Sequence, residues 1–191
     1  RENISQAEID AAKEKIDAAK EALNGNQSTK EKLEILVNES NGKDSNSTYY
    51  NADPEKKLAY DKAEEEAKKV LAKENVTQKE IDAAKDKLKA AKDALNGTET
   101  NAQELKKLVD ESWKTYSSSR SYNAAEEKQE AHYNAVEKAR ELLLKENVTQ
   151  AEVDAAKAKV LETDAALDGK DTDYSKFWPL YNEIDKVKNS P

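Results

Sequence analysis

Apolar residues in this chain recur at alternating spacings of three and four. Ile9, Ala12, Ile16, Ala19 and Leu23 make one such run, and Ile81, Ala84, Leu88, Ala91 and Leu95 make another. That spacing lines one narrow stripe along an α-helix and leaves the other faces polar. Helix-start signals precede these runs. Thr77 and Glu80 have the spacing of a capping box, in which two orphan N–H groups are satisfied reciprocally. Val76 before the cap and Ile81 inside the helix form a hydrophobic staple. Ile4, Ser5, Glu8 and Ile9 repeat the device, as do Val148, Thr149, Glu152 and Val153. Gly25, Gly97 and Gly169 follow the last turn, where a left-handed C-terminal cap is expected.

The copies are regular. The segment beginning at Asn3 returns at Asn75 and again at Asn147, 72 residues apart each time. The residues between keep the same frame, so Leu33, Leu36 and Val37 correspond to Leu105, Leu108 and Val109, and Ala63, Ala67 and Val70 to Ala135, Ala139 and Leu142. Repeats on this scale organise a whole fold. Each unit predicts three helices. Helix A carries the Leu33 or Leu105 stripe and is capped by Ser28 and Glu31, or by Thr100 and Gln103. Helix B carries Tyr60, Ala63, Ala67 and Val70, with Asp53 as N-cap and Pro54 in its first turn. In the second copy Asn123 and Glu126 substitute for that cap. Helix C is the repeated segment itself. The A–B connection, near Asn41 to Ala52, is long and polar and is expected to be irregular.

The fold class is therefore all-α, built from tandem up-down-up three-helix bundles. An odd number of helices puts the termini of a unit at opposite ends, so copies are expected to run head to tail as an elongated rod, on the order of 70–80 Å for two units. Residues 1–25 read as the last helix of a preceding unit. Whole units follow at 26–97 and 98–169, and residues 170–191 as a partial first helix or a cap. Pro179 is expected to shorten that last helix or start it late.

Composition narrows the chemistry. Four Gly and three Pro among 191 residues are too few for a turn-rich β-sandwich. With no Cys and one His there is no disulfide, thiol or His-cluster metal chemistry. No apolar run approaches the roughly 18–20 residues that cross a membrane, and neither a signal peptide nor a lipid anchor is read. The net charge of −8 argues against nucleic acid and anionic lipid as partners. No catalytic constellation and no cofactor motif emerges, and a monomer is expected.

Two strings carry a family likeness: YYNADPEKKLAYDKAEEEAKKVL from Tyr49 to Leu71, and VTQKEIDAAKDKLKAAKDALNG from Val76 to Gly97. Together they resemble the FIVAR module, across two whole and two partial units. The second unit departs from it, with SYNAAEEKQEAHYNA in place of the string around Asp53 and Pro54. The resemblance implies a repeat region of a large cell-wall-attached protein of Gram-positive bacteria, similar to the giant extracellular-matrix-binding proteins. It implies an extracellular location and either a stalk that projects a head, or an adhesive module for a matrix protein such as fibronectin or for a glycan. No albumin-binding module is seen between the copies.

Few side chains compete for a functional role. Glu64, Glu65 and Glu66 read as a solvated charge run. His132 aligns with Tyr60 and reads as a boundary residue, the alternative being a pH-sensitive contact. Asp168, Asp171 and Asp173 lack the ligand spacing of a calcium loop. Asn-x-Ser/Thr triplets, as at Asn75 and Asn147, coincide with helix caps. The aromatics of the A–B connections are the candidates for ligand contacts: Tyr49 and Tyr50 in the first, and Trp113, Tyr116 and Tyr122 in the second. They serve as interface anchors or as plugs that close an Ala-lined core. Phe177, Trp178 and Tyr181 are expected to dock on the second unit or on the remainder of a third.

Overall fold

The computed structural model describes residues 4–23 and 29–191; Gly25 and Ser28, both expected in caps, lie outside them. The described residues form helices and turns, with no strand among them. Two compact units divide between Glu99 and Thr100.

In the first unit, α1 (Gln6–Leu23) is followed by α2 (Thr29–Ser40), a short 3-10 turn (Lys43–Ser45), α3 (Ser47–Tyr50), α4 (Pro54–Ala72) and α5 (Gln78–Asp93). Helices α2, α4 and α5 pack together as the expected A, B and C. Leu33 and Val37 from α2, Tyr60, Ala63 and Ala67 from α4, and Ile81, Ala84 and Leu88 from α5 make one core, joined by Tyr49. The second unit has α6 (Gln103–Asp110), α7 (Ser112–Tyr116), α8 (Ser119–Tyr122), α9 (Glu126–Leu143), α10 (Gln150–Ala165) and α11 (Phe177–Lys188). Its core uses the frame-equivalent Leu105, Val109, Ala135, Ala139, Val153 and Val160. Small side chains on helix B let three helices meet closely around a few large residues.

Two of the expected capping boxes form in full, and the third keeps its Thr149 half. Thr77 Oγ1 accepts from the Glu80 N–H at 3.2 Å while the Glu80 carboxylate accepts from the Thr77 N–H at 3.1 Å. Ser5 and Glu8 make the same exchange at 3.3 and 2.8 Å. Thr149 accepts from the Glu152 N–H at 3.1 Å. A cap is local, so it forms on α1 even though every described side chain of α1 is exposed. The staple differs, because it needs a core to press on. Ile81 and Val153 are buried, whereas Ile4 and Ile9 remain in solvent.

The other caps depart from expectation. Asp53 precedes α4 without capping it; its carboxylate accepts from the Asn96 side-chain amide at 2.9 Å, and its N–H donates to Asn96 Oδ1 at 3.0 Å. Ala125, not Asn123, occupies the N-cap of α9. Thr100 turns away from α6 to donate to the Val148 carbonyl at 2.6 Å, and Asn101 accepts the Gln103 N–H at 3.1 Å instead. Pro179 sits in the first turn of α11, where a backbone N–H would have no acceptor within the helix, and that helix starts late in the frame.

The A–B connections are not irregular. They fold into short helical turns that lie across the end of helix C, and the glycines explain how. Neither Gly97 nor Gly169 has the expected left-handed φ. The helices have already ended at Ala94 and Ala166, both right-handed. Gly97 instead lies under the turn of α3: its N–H donates to the Thr48 carbonyl at 3.0 Å. A Cβ there would sit 2.1 Å from the Ser47 carbonyl oxygen and 2.6 Å from that of Thr48. Gly169 repeats the contact, donating to the Arg120 carbonyl at 3.0 Å, with its notional Cβ 2.3 Å from the Ser119 carbonyl. Side-chain amides finish each seam. Asn51 donates to the Thr98 carbonyl at 2.7 Å and the equivalent Asn123 to the Lys170 carbonyl at 2.6 Å.

Gly97→Ala and Gly169→Ala are each expected to destabilise their own unit by about 1–3 kcal/mol or more, since backbone must move to admit the methyl. Gly42→Ala is the control, because its Cβ would meet nothing nearer than 3.7 Å. Amide hydrogen exchange resolved by unit reads the difference, and equal protection in Gly97→Ala and Gly42→Ala would refute the close-approach explanation.

Candidate functional site

The five candidate aromatics do not share one surface. Tyr49 is in the core, 7% exposed, with its ring centroid 5.9 Å from that of Tyr60. Its hydroxyl donates to Asp61 at 2.8 Å, and the ammonium groups of Lys43 and Lys57 lie 5.3 and 5.0 Å from its ring centre. Burial, with the neighbouring Asp61 carboxylate, pushes the phenol up to about 12. Tyr50 is half-buried against the same core. Tyr116 plugs the second unit, its ring 5.6 Å from His132 and 6.3 Å from Tyr133. Only Trp113 (61%) and Tyr122 (51%) face solvent. The Lys114 ammonium lies 5.9 Å from the Trp113 ring centre. Tyr133 on α9 is equally exposed; it occupies the frame position of Asp61, and that alignment was the signal that could have found it.

Under Tyr49 lies an ionic cluster that the run of three glutamates hid. Glu65 and Glu66 are solvated, but Glu64 is buried. It follows Tyr60 by four residues and so falls on the inner face of α4. Lys43, brought over by the 3-10 turn, places its Nζ 2.6 Å from Glu64 and 2.9 Å from Asp61; Lys68 pairs with Glu64 from the next turn. Burial alone would raise the Glu64 carboxyl, but the two ammonium groups outweigh it and hold it below the ordinary range.

The second unit has replaced this cluster. Thr115, Tyr133 and Val136 occupy the positions of Lys43, Asp61 and Glu64, and Val136 is fully buried. Lys43→Met is expected to destabilise the first unit by about 1–3 kcal/mol, because it strips a buried carboxylate of a partner. Lys43→Thr combined with Glu64→Val, the second unit's choice, should recover most of that loss in urea unfolding.

His132 is a core residue, 2% exposed, and not a boundary one. Thr163 Oγ1 lies 3.2 Å from its Nδ1 and donates its own proton to the Lys159 carbonyl at 2.8 Å. Thr163 therefore accepts from Nδ1–H, which leaves Nε2 as the bare nitrogen. Nε2 is buried with no hydrogen-bond partner, as is the Tyr116 hydroxyl. In the first unit the corresponding pair is Tyr60 and Ala91, so both changed together.

Burial pushes the imidazole below its ordinary value; the charge of Asp164 opposes this and that of Arg120 reinforces it. The unfolded imidazole titrates near ~6.5. Below that pH the unfolded chain takes up a proton that the folded unit resists. The stability of the second unit is thus full above about pH 6.5 and declines on acidification, until the buried imidazole itself protonates. His132→Tyr with Thr163→Ala should flatten the second unit's melting temperature between pH 7.5 and 5.5; an unchanged slope would place its acid sensitivity elsewhere.

What remains of the candidate chemistry is committed to internal partners. A groove of about 410 Å³ in the first unit is lined by Glu39, Lys43, Asn46, Thr48 and Lys92, among others. Lys92 pairs with Glu39 at 2.5 Å, and Asn46 accepts from the Thr48 N–H at 3.0 Å. At the same place in the second unit, Arg120 from the Thr48 position reaches Asp164 at the Lys92 position. Asp168, Asp171 and Asp173 turn to separate partners: Lys128, the Ser119 hydroxyl and the Ser175 N–H. Among the described residues no cluster of three His, Asp or Glu side chains could hold a metal, and no helix is long and apolar enough to cross a membrane.

Two like units in one frame, each a three-helix bundle closed by a seated A–B turn, define a helical repeat protein. The chain belongs to the FIVAR domain family, which matches residues 1–24, 29–96 and 101–168. No curated protein sequence matches it. Among solved structures it is similar to that of EbhA (756-1003 domain) from Staphylococcus aureus, at 22% identity over 83% of this chain and 85% of that one, with a TM-score of 0.34.

Proposed function

We propose that this chain is a non-enzymatic repeat segment of a bacterial cell-wall-attached surface protein, a stiff stalk that projects a functional head. One observation carries the reading. Apart from Trp113 and Tyr122 of the second unit, which face solvent, the A–B segments, where loop-borne function is expected, direct polar and aromatic groups inward to close each bundle. Lys43, Tyr49, Asn51 and Asn123 all have internal partners, so the segment works as a lid on its own core. Family membership supports a surface location through the resemblance of the repeats to those of large cell-wall proteins.

A second reading, an adhesive module for a matrix protein or glycan, draws on the exposure of Trp113, Tyr122 and Tyr133 in the second unit only. At these positions the first unit has Asn41, Tyr50 and Asp61. Exposed aromatics of this kind anchor interfaces more often than other surface residues do.

Binding to immobilised fibronectin, other matrix proteins and a glycan panel separates the two. As a stalk, the chain gives no saturable signal at high concentration, and Trp113→Ala behaves identically. Saturable binding that weakens about tenfold or more in Trp113→Ala, with unchanged circular dichroism, would overturn the stalk reading and make the second unit an adhesin.

A further inference from the structure

The A–B segment of the second unit carries a contact that the first unit lacks. Arg120 on α8 reaches α10, where its guanidinium pairs with the Asp164 carboxylate and donates to the Asp164 carbonyl at 2.5 Å. The Gly169 N–H on the Arg120 carbonyl and the Ser119 hydroxyl on Asp171 fasten the same stretch to the end of helix C. Asp164 directly follows Thr163, whose hydroxyl lies 3.2 Å from Nδ1 of the buried His132. The ion pair that holds the segment down and the group that holds the imidazole are thus adjacent on α10. Two helices of five and four residues, held mainly by polar contacts and one ring, are the part of this unit that opens most easily.

The segment also closes over the imidazole. Tyr116 from α7 packs its ring 5.6 Å from that of His132, and neither the Tyr116 hydroxyl nor Nε2 has a hydrogen-bond partner. A proton arriving at Nε2 finds no acceptor in the closed unit, and a buried charge without one is costly. Of the charged groups around it, Asp164 from α10 attracts an imidazolium and Arg120 from α8 repels it. Helix α6 faces α9 with the apolar Leu105 and Val109, and Glu111 at its C-cap is paired with Lys114 at 3.4 Å. On α9 itself, Lys128 is paired with Asp168 at 2.5 Å, and Tyr133 packs on Tyr116. An imidazolium therefore competes with Arg120 for Asp164, and it reaches water when Tyr116 moves away.

We propose that the α7–α8 segment is an acid-released latch: protonation of His132 frees Arg120 from Asp164 and lifts Tyr116, opening this end of the second unit while α9 and α10 stay packed. The first unit has no such device, because Tyr60, Thr48 and Lys92 stand at the positions of His132, Arg120 and Asp164. The sign follows from linkage. With the segment closed the imidazole stays neutral; with it open the imidazole titrates near ~6.5. Opening therefore becomes more favourable as the pH falls below that value, by about tenfold between pH 7.5 and 5.5. The latch operates whether the chain is a stalk or an adhesin.

Amide hydrogen exchange of the full chain, resolved by NMR and corrected for the intrinsic rate at each pH, tests the latch at two equivalent amides. The Gly169 N–H crosses the seam of the second unit and the Gly97 N–H that of the first. Between pH 7.5 and 5.5 the protection of Gly169 should fall about tenfold while that of Gly97 stays constant. The amides of Val136 and Val160, in the core helices, should remain better protected than Gly169 at both pH values. In His132→Tyr with Thr163→Ala, Gly169 should behave as Gly97 does. Gly169 protection that does not change with pH overturns the proposal. So does equal protection of Gly169, Val136 and Val160, which would mean that the segment opens only with the whole unit. A tenfold loss that survives in the double variant also overturns it, since the trigger would then be a group other than His132.

Discussion

Backbone pressed on backbone at Gly97 and Gly169 is the constraint on which each unit depends. A three-helix bundle with an Ala-lined helix B has little volume to hide, and its open end would expose Tyr60 or His132, on which Tyr49 and Tyr116 pack. Laying a helical turn across the end of helix C closes it, but only if two main chains come within hydrogen-bond distance. A single methyl would push them apart. Once the turn is seated, the rest follows from position: Tyr49 or Tyr116 falls over the core, Lys43 falls beside α4, and Asn51 or Asn123 reaches across the seam.

On this shared frame the units use different interiors. The first buries the Glu64 carboxylate between two ammonium groups, with the Tyr49 phenol bonded to the neighbouring Asp61. The second puts valine at that point, a tyrosine outside it and a histidine–threonine pair nearby. A buried ion pair recovers its desolvation cost only with good geometry, whereas apolar packing needs none. The exchange involves residues from the A–B segment and from helices B and C, because each side chain there is a neighbour of the others. Stability is therefore expected to respond to different conditions in the two halves of one chain.

Much of this was legible in the sequence, and the exceptions have physical reasons. Helix stripes and capping boxes were readable because they depend on residues three or four apart. Gly97 was not, since glycine marks both a left-handed turn and a close approach, and nothing nearby in sequence says which. Asp53 before Pro54 has the form of a cap, but its partner Asn96 is 43 positions away. Glu64 was lost among its neighbours because a run of like residues hides which one faces inward. Among the aromatics, sequence placed the set in the A–B segments but did not separate Tyr49, which closes a core, from Trp113, which faces water. That distinction depends on how the turn is seated.

The Asn96–Gly97 seam also bears on chemical ageing. An asparagine followed by glycine deamidates readily, because the glycine nitrogen can attack the side-chain carbonyl carbon and expel ammonia. Here the Gly97 nitrogen is bound to the Thr48 carbonyl, and the Asn96 amide is held from both sides by Asp53. Attack would require the seam to open first, so the rate of this damage is tied to local unfolding. The second unit has Asp168 at that position, bound to Lys128, and has no amide there to lose. Tight closure thus slows chemical decay at one of the Asn-Gly steps of the chain, whereas the exposed Asn41–Gly42 step has no such seam over it.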